Sequence, residues 1–113
     1  MKKLINIVCE ALEEVKGKDI IELDVTDITD VMDTVVLVTG GTNRQVKALA
    51  NVVIEASKTA GFQPLGVEGM EEGEWVLVDL IDIVVHVMQP AIREFYELEK
   101  LWSVRPNNPV ASN

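Results

Sequence analysis

The chain has 113 residues, enough for one domain and too few for two. Hydrophobic residues make up 48% of it and charged residues 26%, which excludes a disordered polymer. Nineteen acidic against ten basic residues give a net charge of −9, which disfavours a nucleic-acid or anionic-membrane binder and suits a basic protein partner.

Leu4, Ile5, Val8, Ala11, Leu12 and Val15 recur at helical spacing, and Gly17 is a good stop. The first nine residues faintly imitate a signal peptide. That stretch is short, contains Asn6 and runs into Glu10, Glu13 and Glu14, so it reads as part of the helix. Cys9 is the single cysteine, which excludes an internal disulfide and a cysteine-rich zinc site and fits a reducing compartment. A cytoplasmic location is expected, with no membrane span, because no run of about 18 apolar residues occurs.

Ile21, Leu23 and Val25 alternate with Glu22 and Asp24, which predicts a strand over 20–25 with one solvated face. Residues 26–33 form a polar connection. Val35 to Thr39 is a continuous run, β-branched except at Leu37, the pattern of a strand buried on both faces. Gly40-Gly41 breaks it, and Thr42 with Gln45 resembles a capping box. Val46, Leu49, Ala50, Val53, Ala56 and Ala60 then mark one face of a helix closed by Gly61.

Pro64 to Val67 reads as a short strand. Glu74 to Leu80 and Ile83 to Met88 read as an antiparallel hairpin. Its connection lacks the Gly or Asn that primed turns prefer, and Ile81 should resist positive φ, so another turn type is expected. Pro90 fits the first turn of a helix continuing through Ile92, Phe95, Tyr96 and Leu98 towards Trp102. The domain should span 1–104, with 105–113, rich in Asn and Pro, fraying as a tail. The order α-β-β-α-β-β-β-α predicts an α/β (α+β) domain with a mixed sheet and packed helices.

Candidate chemistry is sparse. Gly40 to Arg44 lies at a strand–helix junction where backbone N–H groups can hold an anion, but it has neither a Walker lysine nor a third glycine. Two glycines there are more often a tight turn. His86, the only histidine, shares a strand face with Val84 and Met88. Ser57, Ser103, Ser112 and Cys9 lack a nucleophile-elbow setting, so a hydrogen-bonded structural or interface role fits His86 better than catalysis. Glu68, Glu71, Glu72, Glu74, Asp79 and Asp82 fall in a stretch with no Lys or Arg between Lys58 and Arg93. Phosphoryl transfer would need basic phosphate binders there, so a patch for a basic partner is the better reading. Four of the five aromatics, Trp75, Phe95, Tyr96 and Trp102, lie in the last 40 residues. Phe95 fits the core, whereas Trp75 beside the acidic loop, with Leu77, suits an interface anchor.

These motifs, taken in order, resemble the ribosomal silencing factor (Iojap-like) family. The residues carrying the resemblance are Asp19-Ile20 to Asp24-Val25, Val35 to Val46 (VVLVTGGTNRQV) and Gly66-Val67-Glu68-Gly69. They continue with Glu74 to Leu80, Asp82, Val85-His86-Val87-Met88, Arg93, Tyr96-Glu97-Leu98-Glu99 and Leu101-Trp102. The resemblance covers residues 3–102 and implies a nucleotidyltransferase-like fold with a five-stranded mixed sheet. It also implies a non-enzymatic repressor without cofactors. Such a factor binds the large ribosomal subunit through its ribosomal protein fourteen, with little direct nucleic-acid contact. It thereby blocks joining of the small subunit in starvation or stationary phase.

The resemblance places Trp75, Leu77, Asp79, His86 and Tyr96 near the partner, and Glu68, Asp82 and Trp102 in contact or structural roles. It commonly has Gly where this chain has Ile81. The alternative, a nucleotidyltransferase or nucleotide-binding protein, needs a carboxylate pair following the glycines. Glu22 and Asp24 precede them, and Asp79 and Asp82 are wrongly spaced. A mean hydropathy of +0.19 permits a homodimer when free.

Overall fold

The computed structural model describes residues 3–96. Helix α1 (Leu4–Glu14) leads into strand β1 (Lys18–Asp24), then β2 (Thr34–Thr39), α2 (Asn43–Thr59), β3 (Gly66–Glu68), β4 (Trp75–Asp79), β5 (Ile83–Met88) and α3 (Pro90–Tyr96). The expected order is borne out. The expected tail and the run towards Trp102 lie outside the described residues.

The strands form one five-stranded sheet in the order β1-β2-β5-β4-β3. Only β2 and β5 are parallel; β1–β2, β4–β5 and β3–β4 are antiparallel. The sheet is therefore mixed, as a strand–helix–strand unit plus a hairpin requires. β2 and β5 are buried almost throughout, because each has a neighbour on both sides and cover on both faces.

One face carries the main core. Val36, Val38, Val76, Val78, Val85 and Val87 pack there against Val8 and Leu12 of α1 and Val46, Leu49 and Val53 of α2. Burying a Val or Leu fully is worth roughly 1.5–3 kcal/mol, so this layer dominates stability. The opposite face is covered near β1 and β2 by a smaller cluster of Val25, Val35, Leu37 and Met88, joined by Met32 and Ile92.

Several local signals act as predicted. Thr42 Oγ1 accepts the Gln45 N–H at 3.1 Å, while Gln45 Oε1 reaches back to the Gly41 N–H at 2.8 Å. Gly61 follows α2 with φ +91°. Boundaries also move: β1 starts two residues early and ends at Asp24, β2 starts one early at Thr34, β3 is Gly66–Glu68 rather than 64–67, and β4 is Trp75–Asp79 rather than 74–80. The left-handed residue after α1 is Lys16 (φ +61°). Gly17 serves instead for closeness, since a Cβ there would lie 2.7 Å from Val38 Cγ2.

The turn at Ile81 corrects the sequence reading. Ile81 adopts φ +76°, at the first loop position where two-residue hairpins favour glycine. Asp79 Oδ1 accepts its N–H at 2.8 Å, and the Leu80 carbonyl accepts the Asp82 N–H at 3.0 Å. These bonds outweigh the left-handed penalty, roughly 1–2 kcal/mol for a residue with a Cβ. Glycine removes that penalty but adds freedom to the unfolded chain. Ile81→Gly is therefore expected to raise unfolding free energy by about 1 kcal/mol. A denaturant midpoint that stays put or falls would contradict it.

Candidate functional site

The two-residue connection fixes the hairpin register. Trp75 lies opposite Met88, Leu77 opposite His86 and Asp79 opposite Val84. Strand alternation then sends Val76 and Val78 to the helical core and Trp75, Leu77 and Asp79 to the other face, where all three are half-buried. Register across the sheet continues the Leu77 row: Glu68, Leu77, His86, Leu37 and Ile21 stand side by side, one per strand. The fold thus gathers Glu68, Trp75, Leu77, Asp79 and His86 on one sheet face. They occupy the β3–β4–β5 side, where Trp75 packs against the edge of the cluster over β1 and β2.

Trp75 and His86 are joined directly. The indole Nε1–H donates to His86 Nδ1 at 3.0 Å, with the ring centroids 5.9 Å apart and tilted by 47°. An accepting Nδ1 is unprotonated, so in neutral imidazole the proton sits on Nε2. His86 is only 8% exposed, and burial pulls its pKa down to about 4. It stays neutral at physiological pH, as the bond from Trp75 requires. So little exposed area suits holding the indole better than meeting a partner.

The acidic loop beside Trp75 is built, not loose. Gly69 has φ +87°, and a Cβ there would meet the Trp75 carbonyl oxygen at 2.1 Å. Gly73 N–H closes the loop on the Gly69 carbonyl at 3.1 Å. Asn43 Nδ2 donates to the Glu72 carbonyl at 3.0 Å, and Gln89 Nε2 donates to the Gly73 carbonyl at 3.1 Å and to Asn43 Oδ1. These two amides were not singled out by the sequence, because their partners are 16 to 46 residues away. The loop presents exposed Glu68, Glu71, Glu72 and Glu74 next to the indole.

Asp79 and Asp82 differ. Asp79 faces the same side as Leu77 while one of its oxygens caps the turn. Asp82 is exposed at the turn, and its carbonyl accepts the N–H groups of Asp33 and Thr34 at 2.8 and 3.1 Å. Tyr96 ends α3, but its side chain, like Trp102, lies outside the described residues.

Arg93 was part of the sequence motif without an assigned role. Buried, it donates from Nη1 to the Asp19 carbonyl at 2.7 Å and to Thr39 Oγ1 at 2.8 Å. It thereby pins α3 across the ends of β1 and β2.

The remaining polar features offer little chemistry. At the Gly40–Arg44 turn the N–H groups of Gly41, Gln45 and Val46 are already bound by Gln45 Oε1, Thr42 Oγ1 and the Thr42 carbonyl. Burial, with Glu22 and Glu13 nearby, raises the Cys9 pKa to about 11, which keeps the thiol protonated and a poor nucleophile. Among the described residues no three His, Cys, Asp or Glu side chains converge as metal ligands, and no helix is long and apolar enough to cross a membrane.

Comparison with known proteins agrees across the whole chain. The family profile for RsfS, ribosomal silencing factor during starvation, matches residues 1–113. A ribosomal silencing factor of Chromobacterium violaceum is 52% identical over 102 residues, covering 90% of this chain and 84% of that protein. One from Haemophilus influenzae is 41% identical over 100 residues, covering 88% and 98%. A crystal structure of a Chromobacterium violaceum protein superposes with a TM-score of 0.88 at 50% identity, covering 93% of this chain and 88% of that one.

Proposed function

The chain belongs to the family of ribosomal silencing factors during starvation, and from that premise we propose that the sheet face carrying Trp75 and Leu77 docks on the large ribosomal subunit. The contact is with ribosomal protein fourteen on the intersubunit face, and the bound factor sterically prevents the small subunit from joining. It acts in the cytoplasm as a repressor, not as an enzyme.

The observation that carries this reading is the gathering of Glu68, Trp75, Leu77, Asp79 and His86 on one sheet face beside the exposed acidic loop. A half-buried indole with an apolar neighbour and a carboxylate rim has the anatomy of a docking surface: an aromatic anchor within a charged border. The sign of the charge suits a basic protein and disfavours direct contact with rRNA phosphates. Tyr96 and Trp102, whose side chains lie outside the described residues, are further partner contacts in this reading.

Sedimentation of ribosomal subunits with and without the purified protein tests it. The protein is expected to travel with the large subunit and to lower the proportion of joined ribosomes. If it stays at the top of the gradient and joining is unchanged, the proposal fails.

A further inference from the structure

A second surface lies on the opposite side of the molecule. Ile7, Glu10, Ala11 and Glu14 form one stripe of α1, and Val52, Glu55, Ala56 and Thr59 form one stripe of α2. Both stripes have the spacing i, i+3, i+4, i+7, so each lies along one helix face. With Ala60 they line a groove of about 450 Å³ on the solvent side of the two helices. Ala11 and Ala56 hold corresponding places in the two stripes, and their short side chains make the floor. Ile7 and Val52 add apolar walls, while exposed Glu10, Glu14 and Glu55 form the rim. None of the nine lining residues is basic.

We infer that this groove is a separate docking surface for a basic amphipathic helix of a partner protein. A third helix laid along two packed helices would bury an apolar stripe on Ile7, Ala11, Val52 and Ala56. Lys or Arg flanking that stripe would meet the three carboxylates. The charge argues against the other occupants. Phosphate-bearing ligands and anionic lipid surfaces are repelled by the rim, and a second copy of a chain of net charge −9 adds like charge to it. Because α1 and α2 cover the face opposite Trp75, the groove stays open when the sheet face is occupied. The inference stands whether or not the ribosomal reading does.

The probe is an 18-residue Leu/Lys peptide with helical amphipathic spacing, set against a peptide of identical composition with the leucines scattered. Binding is followed by amide chemical-shift perturbation of the full chain and by fluorescence anisotropy. The amphipathic peptide is expected to perturb Ile7, Ala11, Val52 and Ala56 and to bind at least tenfold tighter than the scattered one. Glu14→Lys/Glu55→Lys, at exposed helix positions, should weaken binding at least tenfold. Glu71→Lys/Glu72→Lys makes the same change in net charge on the acidic loop and should leave affinity within about twofold. Equal binding of both peptides would overturn the inference. So would perturbations confined to the loop or sheet face, equal loss in both double variants, or a self-association that only the groove variant abolishes.

Discussion

Trp75→Ala is expected to weaken binding to the large ribosomal subunit about 30-fold or more, roughly 2 kcal/mol. The indole is the only large aromatic on the described part of the sheet face, it is half-buried, and His86 fixes its orientation. An anchor held in place before binding loses little rotamer freedom when the complex forms. Trp75 also packs against the Val25, Val35, Leu37 and Met88 cluster, so the truncation will lower stability as well. Affinity should therefore be read at a temperature where far-UV circular dichroism shows both proteins folded. Trp75→Phe keeps most of the packing but removes the N–H, and should lose less. Undiminished affinity of folded Trp75→Ala would remove this residue from the interface and direct attention to α3.

The second large effect is on acid stability. Unfolded, His86 titrates near its ordinary value of about 6.5. Folded, burial holds its pKa at about 4. The unfolded chain therefore binds more protons between these values, and stability falls as pH drops through that window. The contribution is fully present above pH 6.5 and lost by about pH 4, on the order of 3 kcal/mol in all. Below the window a protonated Nδ1 also clashes with the indole N–H as donor against donor. Charged groups on the same face are Glu68, beyond Leu77 in the His86 row, Asp79 on β4 and Arg93, which is bonded to Thr39 of β2. These groups are common to parent and variant, so the diagnostic is a difference between proteins. His86→Gln offers the indole an acceptor that does not titrate. Denaturant unfolding from pH 7.5 to 4 should show a clearly flatter slope for the variant than for the parent. Parallel slopes would show that His86 does not govern acid stability.

Much of this molecule was legible in the sequence, and the failures have a common cause. Element order came from side-chain periodicity, which is local. Even the placing of Leu77 beside His86 was within reach, since a two-residue connection from Leu80 to Ile83 dictates that pair. What escaped were arrangements set by particular hydrogen bonds and contacts rather than by periodicity. Ile81 takes a left-handed φ because Asp79 and the hairpin pairing hold it there, against its own preference. Lys16 turns the chain after α1 while Gly17 is needed for its missing side chain, a contact with Val38 on another element. Asn43, Gln89 and Arg93 fasten segments far apart in sequence, and no local pattern marks them.

The strand order has a consequence for how the chain reaches this structure. β5, the last of the described strands to be synthesised, is the middle strand of the sheet, pairing with β2 on one side and β4 on the other. Until it is in place, β1–β2 and β3–β4 are two ribbons with nothing between them, and β2 shows an open apolar edge. The parallel β2–β5 ladder closes across α2 and two further strands, a long loop to order before any contact repays it. Folding should therefore finish late and in one step when β5 inserts. A nascent chain stopped before Ile83 is expected to aggregate, since its exposed strand edges have no native partner to find.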